Sequence, residues 1–134
     1  MQLDHIGIAV TSIKESSRVW TDALGLVLEG TEVVESQKVR VAFLPLGSTR
    51  IELLEPTADD SPIARFIETR RPGIHHIAVE VEDIDAAVDR AKGAGLRLLS
   101  DAPVEGAHDT RVIFIHPSST GGVLLELVQR PKEG

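Results

Sequence analysis

The chain contains two copies of one pattern, and that constrains its fold more than any local motif. Asp4-His5-Ile6-Gly7-Ile8-Ala9-Val10 runs into Thr11-Ser12-Ile13-Lys14-Glu15-Ser16. It is matched by His75-His76-Ile77-Ala78-Val79-Glu80-Val81 and then Glu82-Asp83-Ile84-Asp85-Ala86-Ala87. His5 falls in register with His76, and Ile13 with Ile84; farther on, Leu24-Gly25-Leu26 matches Ala94-Gly95-Leu96. The copies also end alike, Arg50-Ile51-Glu52-Leu53-Leu54 against Leu124-Leu125-Glu126-Leu127-Val128. The stretch between them, from Pro56 to Gly73, is rich in Asp, Ser, Arg and Pro and reads as a linker with a short helix near Ile63 to Glu68. The expected organisation is one domain over 1–134, made of module 1 (1–56), the linker (57–72) and module 2 (73–134).

Each copy predicts the same order of elements. Residues 3–10 alternate strictly and read as a strand, followed by a helix of about three turns capped by Ser12 or Thr11 and stopped at Gly25. Strands are expected near 26–34, 38–46 and 50–55, with Gly47-Ser48 as a hairpin signal. The second copy gives a strand at 75–81, a helix at 83–93, and strands near 96–100, 111–116 and 122–128. The expected class is α+β: two tandem βαβββ modules in a curved, mostly antiparallel eight-stranded sheet around a cavity, helices outside.

Alternation assigns the faces. Ile6, Ile8 and Val10 share the side that packs under a helix, and His5, Gly7 and Ala9 share the other. In the second copy, His76 sits with Ala78 and Glu80, opposite Ile77, Val79 and Val81. An imidazole beside such small neighbours has room in front of it. Glu126 interrupts Val123-Leu124-Leu125-Glu126-Leu127-Val128, and Glu52 interrupts Ile51-Glu52-Leu53-Leu54. Buried carboxylates are costly unless paired, hydrogen-bonded or bound to metal. One strand histidine alone is more often a packed or surface residue than a ligand. Two histidines and two glutamates at equivalent places in a duplicated chain favour a site: His5, Glu52, His76 and Glu126 suit one divalent ion with nitrogen and oxygen ligands.

The remaining histidines read as structural. His75 faces away from His76, toward a helix or an interface; His108 lies in a loop; His116 precedes Pro117 at a strand end. Trp20 reads as core, the Arg65, Arg70, Arg71 run as a solvated face, and Gly121-Gly122 as a tight turn. Composition closes several classes. With 14 Lys+Arg against 21 Asp+Glu the net charge is −7, against a nucleic-acid or anionic-membrane surface. The absence of cysteine excludes disulfides, thiol catalysis and thiolate metal sites. No apolar run has the roughly 20 residues of a membrane span, and no signal segment opens the chain, so a cytoplasmic location is the expectation.

With this repeat and donor set the chain resembles the vicinal oxygen chelate (glyoxalase/bleomycin resistance/dioxygenase) superfamily. Within it, five segments are similar to the methylmalonyl-CoA epimerase family: Asp4 to Val10; Ile51-Glu52-Leu53-Leu54-Glu55-Pro56; Asp60-Ser61-Pro62-Ile63-Ala64; Gly73-Ile74-His75-His76-Ile77-Ala78; and Ile115-His116-Pro117 through Gly121-Gly122-Val123-Leu124-Leu125-Glu126-Leu127. The resemblance implies His5, His76 and Glu126 as metal ligands, with Glu52 at a fourth position that is glutamine in some members. It implies one divalent ion, Co²⁺ or Mn²⁺ ahead of Mg²⁺, Ni²⁺ or Zn²⁺, and a homodimer acting on an acyl-CoA substrate. The implied reaction interconverts (R)- and (S)-methylmalonyl-CoA through an enolate, with Glu126 and Glu52 as candidate acid/base residues. Some members carry a second catalytic glutamate where this chain has Val41, which cannot transfer a proton. The CoA portion is expected toward the loops at 106–111 and 117–122, near Arg111. The alternatives are a glyoxalase I-type isomerase on a glutathione hemithioacetal, which would use the same ligands, a metal-free binding module of the same fold, and, more remotely, an Fe(II) dioxygenase.

Overall fold

A computed structural model describes residues 1–132. The chain divides into two compact units, a first from His5 to His75 and a second that joins Met1–Asp4 to the residues from His76 onward. Each carries four strands and a helix in βαβββ order, so the α+β class and the repeated module are both present.

In the first unit β1 (Gln2–Ala9) leads to α1 (Ile13–Arg18), whose Ncap residue Ser12 accepts the Glu15 N–H through its hydroxyl at 3.2 Å. The Glu55 carboxylate accepts the Ile13 N–H at 3.0 Å, satisfying another of the donors a helix start leaves open. A π-helical turn at Val19–Ala23 extends the helix, and Gly25 at φ +76° ends it, a conformation costly to any residue with a Cβ. The strands β2 (Gly30–Val34), β3 (Val39–Leu46) and β4 (Thr49–Pro56) follow, and the order across the sheet is β2-β3-β4-β1, with β4 parallel to β1 and the other pairs antiparallel. Under α1 lie Val10, Ile13, Ala42, Leu44, Ile51 and Leu53, with Ile6, Ile8 and Trp20 packed against them. Leu44 and Leu53 are fully buried, each contributing roughly 2–3 kcal/mol of transfer free energy. The linker forms α2 (Pro62–Arg70), with Ser61 as Ncap and Pro62 at its start.

The second unit has the same plan. β5 (Gly73–Glu80) precedes α3 (Ile84–Gly93), capped by Asp83 through the Ala86 N–H at 3.1 Å. β6 (Val104–Glu105), β7 (Arg111–Ile115) and β8 (Leu125–Gln129) complete the order β5-β8-β7-β6, with β5 and β8 parallel and the rest antiparallel. Val81, Ile84, Val88, Ile113, Ile115 and Leu127 form the core beneath α3. The N-terminal residues belong here through ion pairing. Arg130 donates Nε to Asp4 Oδ1 at 2.7 Å and Nη2 to Asp4 Oδ2 at 2.9 Å, across 126 residues of sequence.

Three boundaries differ from the sequence reading. The strand expected at 96–100 is reduced to one bridge, Leu98 with Ile115, because Leu96 and Leu98 turn into the core under α3. The edge is taken instead by the two-residue β6, and a short edge strand offers little backbone for unwanted pairing. β8 starts at Leu125 rather than at 122, because Gly121 and Gly122, at φ +77° and +103°, close a turn in which Gly122 N–H donates to Pro117 O. β2 starts at Gly30 rather than at 26, since the Leu26 N–H bonds back to Trp20 O. No described helix is long and apolar enough to cross a membrane.

Candidate functional site

Register across the strands decides which side chains share a face. In the first unit His5 pairs with Arg50, and Gly7 with Glu52, along the parallel β1/β4 ladder. On its other side Glu52 is paired with Phe43 of β3. The face opposite α1 therefore presents His5, Arg50, Glu52 and Phe43 together, with Gly7 leaving space beside the carboxylate. His5 Nδ1 lies 3.2 Å from Glu52 Oε2, and both residues are 5% exposed. The same oxygen accepts from Arg50, at 2.8 Å from Nη2 and 3.2 Å from Nε. The Arg50 guanidinium also stands 5.9 Å from the centre of the Phe43 ring, a cation–π arrangement.

The second unit repeats the arrangement, with Ala78 in the place of Gly7 and Leu124 in that of Arg50. Along β5/β8 Ala78 pairs with Glu126, and Phe114 of β7 pairs with Glu126 from the other side. His76 Nε2 lies 3.0 Å from Glu126 Oε1, at 6% and 7% exposure. The His76 ring meets Phe114 edge-on at 5.6 Å. Where the first unit has Arg50, two residues before its glutamate, the second has Leu124. Both units thus hold a buried imidazole–carboxylate pair, flanked by a small residue and a phenylalanine. Only the first adds an arginine two residues before the glutamate.

The other singled-out residues fall into structural roles. His75 packs edge-on against Phe66 of α2 with ring centres 4.9 Å apart, on the opposite face from His76. His116 caps the turn at Pro117–Ser119, its Nδ1 accepting the Ser118 N–H at 3.0 Å. His108 is exposed in a turn at φ +56°. Arg111, expected near the CoA loops, has a partner within the chain. It starts β7 on the side of Ile113 and Ile115 and forms a two-point ion pair with Asp85 of α3, both contacts at 3.1 Å. That hydrogen-bonded guanidinium holds the Asp85 carboxyl below the usual carboxylate range, and Asp85 in turn raises Arg111.

Two residues of this face were missed in the sequence. Arg50 could have been found from the i, i+2 spacing that puts it on the same side of the strand as Glu52. Glu32 could not, since only the β2/β3 register sets it directly opposite Val41, half-buried and on the Phe43–Glu52 face. The position where a glutamate is lacking is thus adjoined by one.

The comparisons with known proteins give the family. Residues 4–114 match the family model described as the Glyoxalase/Bleomycin resistance protein/Dioxygenase superfamily, and the chain belongs to that superfamily. Among individual proteins, it is 43% identical over 130 residues to the ethylmalonyl-CoA/methylmalonyl-CoA epimerase of Cereibacter sphaeroides, covering 96% of this chain and 97% of that one. It is 40% identical over 129 residues to the mitochondrial methylmalonyl-CoA epimerase of Mus musculus, covering 96% and 72% respectively. A solved variant of the Streptomyces coelicolor methylmalonyl-CoA epimerase, in complex with 2-nitronate-propionyl-CoA, superposes with a TM-score of 0.94 at 35% identity, covering 98% of this chain and 99% of that one.

Proposed function

We propose that this chain is a metal-dependent epimerase that interconverts (R)- and (S)-methylmalonyl-CoA by moving the proton at C2, with both modules working as a single domain. The observation that carries the reading is the pair of buried imidazole–carboxylate couples, one at the same place in each module, in a chain 40% and 43% identical to epimerases of this substrate class. His5, Glu52, His76 and Glu126 are assigned as the ligands of one divalent ion. The donor set supports this: nitrogen and oxygen without sulfur. The imidazole nitrogens and carboxylate oxygens stand 3.0 and 3.2 Å apart within the two pairs, and these side chains would hold the ion. When bound, the ion supplies Lewis-acid stabilisation of the enolate oxygen.

The chain's own residues do the rest. Glu126 takes the C2 proton on one face of the substrate, a role open to a carboxylate within reach of the carbon acid. Epimerisation needs a proton returned to the opposite face. Val41 cannot supply it and Glu52 is held by Arg50, so we assign this step to Glu32, which adjoins Val41. Phe43 and Phe114 lie beside the two glutamates and limit water at the carbanion, while Gly7 and Ala78 leave room for the acyl group. A homodimer is part of the same reading. The direct test is turnover of each methylmalonyl-CoA epimer against turnover of a glutathione hemithioacetal by the same metal-replete protein. Epimerisation with no hemithioacetal isomerisation supports the reading; the reverse result assigns the site to glyoxalase chemistry.

A further inference from the structure

The Arg50–Glu52 contact is a feature of the site that the duplication does not explain. Two N–H groups of Arg50 meet a single oxygen of Glu52, the same oxygen that faces His5, in a carboxylate that is 5% exposed. The guanidinium itself is only about one-fifth exposed and is backed by the Phe43 ring, so water screens the pair weakly. At the matching place in the second module the side chain is Leu124, and that module's glutamate has no arginine two residues before it in sequence.

We propose that Arg50 is a positioning residue that sets the charge of the site: it cancels the charge of Glu52, so that the four-ligand set attracts an ion as one carboxylate would. The inference rests on the metal-site assignment above. Two uncompensated carboxylates would neutralise a divalent ion completely. With Arg50 in place one positive charge is left over, and the reaction uses it. The substrate brings a free carboxylate, and a further negative charge develops on the thioester oxygen as the proton leaves. Arg50 thereby trades ion affinity for affinity toward an anionic substrate and its enolate.

The sign of one mutant separates this from a merely structural role. If Arg50 only held Glu52 in place, Arg50→Met would loosen the ligand and weaken ion binding. If it cancels charge, Arg50→Met binds Mn²⁺ about tenfold more tightly and raises KM for methylmalonyl-CoA about tenfold. Arg50→Lys, which keeps the charge, stays within about threefold of the wild type in both. Titration calorimetry with Mn²⁺ alone gives the ion affinity, independently of turnover, and circular dichroism reports the fold. Weaker Mn²⁺ binding by a folded Arg50→Met variant, or an unchanged KM, overturns the charge role and leaves the epimerase reading standing. A wild-type protein that bound no divalent ion would overturn both.

Discussion

The two modules hold the same side chains in the same order, yet they are not chemically equal. Each sets an imidazole against a carboxylate at close range, 3.2 Å for His5 and Glu52 and 3.0 Å for His76 and Glu126. Each borders its glutamate with one small residue and one phenylalanine, Gly7 and Phe43 in the first, Ala78 and Phe114 in the second. They part in charge where the first has Arg50 and the second Leu124. Duplication copied the donor geometry through strand register, while one neighbouring charge divided the labour. In the proposed reading Glu52 is half of an ion pair that tunes the site, and Glu126, beside His76 and Phe114, handles the proton. Two residues of the same type in the same local fold can thus differ in role by environment alone.

Two substitutions probe that division and two the framework around it, in descending order of effect. Glu126→Gln, nearly isosteric, should lower kcat by about a thousandfold with the thermal midpoint little changed; near-normal turnover would remove Glu126 from the proton path and erase the contrast with Glu52. Glu32→Gln should lower kcat by about a hundredfold, with C2 proton loss still detectable from one epimer, because only one face of the carbanion loses its acid. Asp4→Asn strikes the second unit's framework. It removes the buried end of a two-point ion pair with Arg130, expected to cost about 2 kcal/mol in denaturant unfolding.

The smallest effect is at Asp85. Its carboxyl is held below the ordinary range by the Arg111 hydrogen bonds, so the pair stabilises the fold above that range and loses its contribution as pH falls through the depressed value. Asp85→Asn should therefore lower the thermal midpoint slightly at neutral pH and not at all in strong acid, with activity untouched. Loss of activity would return Arg111 to the substrate-binding role.

How much of this could be read in the sequence depends on whether a feature is local. The βαβββ order, the buried sides of β1 and β5, and the pairing of each strand histidine with its module's glutamate follow from period-two alternation and from the repeat. The caps Ser12 and Asp83 follow from residue type next to an apolar run. What stayed hidden depends on cross-strand register or distant partners. Glu32 opposite Val41 needs the β2/β3 pairing, and Asp4 with Arg130 joins the two ends of the chain. The 96–100 segment has a strand's composition, but Leu96 and Leu98 gain more by filling the core under α3 than by extending the sheet. The pairing of Arg111 with Asp85 was hidden for a similar reason, since it depends on the side of β7 that Arg111 takes.

The central claim is that the paired imidazoles and carboxylates serve proton transfer at C2 of an acyl-CoA with the help of a divalent ion. Its most direct measurement is hydrogen–deuterium exchange at C2 of methylmalonyl-CoA in D₂O, followed by mass spectrometry before and after chelation and on restoring Mn²⁺ or Co²⁺. The account predicts rapid deuterium incorporation that chelator abolishes and the ion restores. Metal-replete, folded protein that leaves C2 protonated, or exchange indifferent to chelator, would contradict it.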